Sequence, residues 1–204
     1  MKRARSKEAN RVHLLVFVEG ERTEVGYLTH WHRKFRQRVL VEIDERHGTP
    51  MTLVHAAIAA KKTELREERR GRGKAHDEYW CLFDRDEHPH FDEALKLAAD
   101  NGVSVAVSNP CLELWFIWHF EARSAYIERD EVQRLAEAIL GCGKHLTPAA
   151  LERLDQEGRF AAATKRALAM DLKHEGDGSP CGSNPSSTVH RLIEAIRGPE
   201  IDER

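Results

Sequence analysis

The 204-residue chain is 41% hydrophobic and 32% charged, with a formal net charge of -2, which leaves room for one well-packed domain with an elaboration and excludes a disordered or strongly basic chain. No apolar run is long enough to span a membrane. Lys2, Arg3 and Arg5 mimic the start of a signal peptide, but the apolar stretch after them is too short and ends in Glu19. The expectation is a cytoplasmic protein without membrane contact. The dispersed cysteines Cys81, Cys111, Cys142 and Cys181 form no C-x-x-C pair, which speaks against disulfides and a cysteine zinc site.

In chain order, residues 1–11 form a basic leader with Lys2, Arg3, Arg5, Lys7 and Arg11. Residues 12–18 are almost wholly apolar and predict a strand buried on both faces, running into Glu19-Gly20. A turn over 20–24 enters a helix through about Arg38, which Thr23 could cap. Residues 39–43 predict a second strand. Thr49-Pro50 places an N-cap and a Pro at the first helical position, and opens a helix to about Arg70. That helix and the loop after it carry a basic segment at 61–74. Residues 79–83 predict a third strand, running into Asp84-Arg85-Asp86. A helix over 91–99 and a strand over 103–107 follow. Strands alternating with helices predict an α/β fold with a parallel or mostly parallel sheet. After Ser108-Asn109-Pro110 the pattern turns helical, over 111–120, 130–140, 148–156, 159–172 and 185–197. The expected organisation is the 1–11 leader, an α/β core over 12–120, and a helical C-terminal part over 121–204 packed on the core as one structural unit.

Two strands ending in carboxylates deliver them to the carboxyl edge of a sheet, where open α/β folds hold ligands. Residues two apart in an extended segment project to one side, so Asp84 and Asp86 can share a hard cation. With Glu19 they make a candidate catalytic and metal-binding set; the bland alternative is a solvated acidic loop. Gly20, Arg22 and Thr23, in the turn after Glu19, are candidate phosphate contacts. His88 is read as a general base, a phosphate contact or a plain surface histidine. Pro89 interrupts the alternation with His90 and disfavours zinc. Glu113 sits in an apolar segment, with Asn109 as expected N-cap and Pro110 at the first helical position. It is either a metal ligand or a buried structural acceptor. Each Ser-Asn-Pro precedes a helix, whose N-terminus can take an anion or simply be capped. Lys173 and His174 add basic groups near the second one. The arginines at 66–72 are a solvated helix face or a nucleic-acid contact.

Four segments together resemble the RloB-like family. They are 18–24 with Tyr27, Phe83-Asp84-Arg85-Asp86, the run from Ser108 to Trp115, and Asn184-Pro185-Ser186-Ser187. The resemblance spans about 12–197. It implies a Toprim-like core, with Glu19 as general acid/base or metal ligand, and Asp84 and Asp86 holding Mg2+ or Mn2+. Glu113 and Asn109 match one family signature, Glu113 as a possible second-site ligand, and Asn184 and Ser186 match another. The expected activity is a Mg-dependent nuclease cleaving DNA or RNA in anti-phage defence, beside an ATPase encoded nearby. The sequence carries no G-x-x-x-x-G-K-[ST] motif, so energy coupling would come from that partner. A non-catalytic subunit of an ATPase complex and a nucleotidyl or phosphoryl transferase are the alternatives. A homo-oligomer is compatible with the sequence.

Overall fold

The computed structural model describes residues 11–85, 88–180 and 182–198. Strand β1 (Val12–Val18) leads through α1 (Thr23–Phe35) to β2 (Val39–Ile43), and α2 (Pro50–Arg69) leads to β3 (Glu78–Asp84). Then α3 (Phe91–Asp100) leads to β4 (Ser104–Asn109), followed by α4 (Leu112–Trp118). Helices α5 (Arg129–Leu140), α6 (Pro148–Leu154) and α7 (Arg159–Gly176) precede a short β5 (Ser186–Ser187) and α8 (Val189–Arg197). The sheet order is β2-β1-β3-β4-β5; β1 to β4 run parallel and β5 pairs antiparallel with β4. The fold is α/β with a mostly parallel sheet between helices.

Residues 14–18 and 79–84 are buried throughout, as expected of strands covered on both faces. Alternate side chains sort to opposite faces. Leu15, Phe17, Tyr79, Cys81 and Phe83 pack with α2 and α3. Leu14, Val16, Val18, Trp80 and Leu82 join a larger core with α1, α4, α5, α7 and α8. The C-terminal part therefore shares its core with residues 12–120, and it supplies both the edge strand β5 and α8. Thr49 caps α2, accepting from the Thr52 amide at 3.4 Å, with Pro50 at the start of the helix as expected.

Several local readings change. Helix α1 ends at Phe35, three residues early, because the Arg38 amide turns back to the Phe35 carbonyl before β2 begins. Asn109 does not cap α4: it is the last residue of β4, and Cys111 occupies the cap position. Ser186 lies in β5 opposite Asn109, not in a helix. Among the described residues no helix is long and apolar enough to cross a membrane.

Candidate functional site

The chain leaves β1 toward β2 on one side and returns to β3 on the other, so the sheet's switch point lies between β1 and β3. Ligands of open α/β sheets bind outside the carboxyl ends of the strands there. Register pairs Val18 with Leu82, and the Glu19 amide donates to the Leu82 carbonyl at 3.1 Å. Glu19 and Asp84 consequently emerge side by side. The backbone amide of Asp84 donates to Glu19 Oε2 at 3.1 Å, and His88 Nε2 lies 3.4 Å from Glu19 Oε1.

A cleft of about 480 Å³ opens over this pair, lined among others by Glu24, Glu113, Arg22, Arg129 and Lys144. Asp84 is only 8% exposed. Burial raises its pKa well above the usual carboxylate range; Arg129 opposes this, while the negative charges of Glu113, Glu19 and Glu24 add to it. Arg129 donates to Asp84 Oδ2 at 3.0 Å. Glu24 is likewise raised, first by burial and then by Glu113 and Glu19. Gly20 fits closely here: its amide donates to Glu24 Oε1 at 3.2 Å, and a Cβ on it would collide with that carboxylate. Among the described residues no group of three His, Cys, Asp or Glu side chains is gathered tightly enough to hold a metal ion.

The remaining candidates divide. Thr23 is buried and its hydroxyl donates to the Lys144 carbonyl at 2.6 Å, which ties the start of α1 to the loop after α5. Arg22 is exposed on the rim of the cleft. Asp86 lies outside the described residues, as does most of the basic leader. Asn109 Nδ2 donates to the Gly182 carbonyl at 2.8 Å, so its amide braces the loop before β5. Asn184 accepts from the Ile127 amide at 3.1 Å and donates to the Ile127 carbonyl at 2.9 Å. Ser186 is buried in β5, and Lys173 donates to the Ser124 carbonyl at 2.9 Å. The two Ser-Asn-Pro segments thus lie outside the lining of the carboxylate cleft, and the Asn184 clamp holds the approach to Arg129 at the start of α5.

A protein-family model described as RloB-like protein matches residues 14–196. The chain belongs to the RloB-like family. A search of curated proteins finds no match. In this RloB-like protein, sequence reasoning missed Arg129, Glu24 and Lys144. Glu24 lay inside a quoted segment, four residues past Gly20 and so one helical turn along. Arg129 had no local signal, because it reaches Asp84 across 45 residues of chain.

Proposed function

We propose that this RloB-like protein is a Toprim-type, divalent-metal-dependent nuclease whose centre is the cleft at the switch point. The observation that carries the reading is the hydrogen bond from the Asp84 backbone amide to Glu19, which sets two strand-end acidic residues side by side in a cleft that Glu24 and Glu113 also line. An all-oxygen carboxylate set suits Mg2+ or Mn2+, and mutual repulsion between these groups is the condition that a bound cation relieves. The residues that would hold it are Glu19 and Asp84, with Asp86 from the same acidic run and Glu113 from α4; Glu19, Asp84 and Glu113 line one cleft without being gathered into a ligand set, so a bound ion would have to draw them together. When bound, such an ion activates water and neutralises charge on the phosphodiester oxygens.

The chain's own residues supply the rest. Arg129 donates a fixed guanidinium at the cleft and can exchange Asp84 for a phosphate oxygen, for which its fork geometry is suited. Lys144 and Arg22 on the cleft lining add positive charge for the strand to follow. Glu19 accepts a proton through Oε1, and His88 Nε2 beside it carries that proton toward solvent. Gly20 leaves room for the Glu24 carboxylate, which its amide holds at the cleft. Service in anti-phage defence with an ATPase partner is part of the same proposal.

The test incubates the purified protein with plasmid, single-stranded DNA and total RNA in magnesium, manganese or EDTA. Cleavage that requires the metal and is lost in Asp84→Asn supports a nuclease. No cleavage of any substrate, or equal cleavage by Asp84→Asn, overturns it in favour of a non-catalytic subunit.

A further inference from the structure

A second cleft, of about 710 Å³, adjoins the carboxylate cleft and is lined by Arg85, His88, Asn109, Tyr126, Arg129 and Asn184. Arg129 lines both clefts, so it forms their common wall. Tyr126 is 68% exposed, an unusual placement for a large aromatic ring. Its backbone attachment is held: the next residue, Ile127, is buried and both its backbone groups are clamped by Asn184. An exposed ring in the same cleft as a guanidinium is an arrangement that can stack a base and hold a phosphate. Asp92, Glu93 and Glu128 share this lining. Carboxylates there disfavour a second phosphate but accept hydrogen bonds from the amino groups of a base.

We propose that this cleft takes one unpaired nucleotide of the substrate strand, its base stacked on Tyr126 and its phosphate held by Arg129 at the border of the carboxylate cleft. The inference rests on the nuclease reading of that cleft and narrows it to single-stranded or locally unpaired nucleic acid. Bases inside a duplex are stacked on one another and cannot reach the ring without being extruded.

The test measures fluorescence anisotropy of labelled oligodeoxycytidylate, oligocytidylate and a duplex of equal length, in EDTA and again in calcium. The DNA and RNA arms separate the two sources of the same chemistry. The parent should prefer a single strand to the duplex. Tyr126→Ala should weaken that binding by about 5- to 100-fold at unchanged melting temperature, and Tyr126→Phe, which keeps the ring, should bind like the parent. Equal binding by Tyr126→Ala, equal binding of the duplex, or no binding in either buffer would overturn the proposal. Absence of cleavage in magnesium alongside ring-dependent binding would reject the nuclease reading and leave this subsite standing.

Discussion

Two charged regions of this molecule have opposite electrostatic characters. The basic segment on α2 and its following loop is conspicuous in the sequence, and its charges stand largely on exposed side chains, several of them sharing one acidic neighbour. Glu67 is surrounded by Arg70 at 3.0 Å, Arg72 at 3.6 Å and Arg66 at 3.9 Å. Lys74 pairs with Asp77 at 3.1 Å, and Lys61 donates to the carbonyls of Asn101 and Gly102. At the carboxyl edge of the sheet, Glu19, Glu24, Asp84 and Glu113 share one cleft, and Asp84 is pushed toward its protonated form despite Arg129. Exposed balanced pairs contribute little and are screened by salt. Buried like charges remain a standing cost unless a ligand removes it. The candidate site is therefore read from charge that the fold buries beside like charge, not from the density of charged residues.

The largest expected effect tests the acidic side of that contrast. Asp84→Asn and Glu19→Gln should each lower metal-dependent cleavage by about 10²–10³-fold, as loss of charge stabilisation at a reacting centre does. Thermal melts of the metal-free variants should sit at or above the parent, since each removes a repelling charge. Next in size is the Arg129–Asp84 pair. Arg129→Gln should cost about 1–2 kcal/mol in the parent and almost nothing in the Asp84→Asn background, a coupling read from denaturant melts of the four proteins.

A pH series sharpens the same comparison. The Asp84 carboxyl binds its proton more tightly folded than unfolded, so its contribution to stability is fully present below the ordinary aspartate pKa. It is lost as pH rises through the raised folded value. Parent stability should therefore fall across that window relative to Asp84→Asn, which lacks the titration, and chemical denaturation at several pH values reads the gap. The smallest effect belongs to the basic side: Arg70→Ala and Arg72→Ala should each change stability by no more than about 0.5 kcal/mol. A larger loss there would show that the α2 charges do more than solvate a helix face.

Much of the fold could be read from local pattern, and the reason is burial. The apolar runs at 12–18 and 79–83 sit in strands covered on both faces, where composition alone marks the element. The strand-end positions of Glu19 and Asp84 followed from those runs. What local pattern could not supply was set by long-range pairing. Strand β5 is two serines that become a strand because Ser187 meets Ser108 and Ser186 meets Asn109. Asn109-Pro110 before an apolar run imitates a helix start, but β4 extends through Asn109 to make that pairing, which delays α4 to Leu112. The work of Asn184, clamping Ile127 near Arg129, depends on a contact across 57 residues.

The central claim is that the strand-end carboxylates form a cation site, and a Mn2+ titration followed by electron paramagnetic resonance tests it directly. The parent should bind Mn2+ saturably, with Mg2+ competing and binding lost in both Asp84→Asn and Glu19→Gln, while Arg70→Ala binds like the parent. Undiminished Mn2+ binding by the two carboxylate variants, or no binding by the parent, would contradict it.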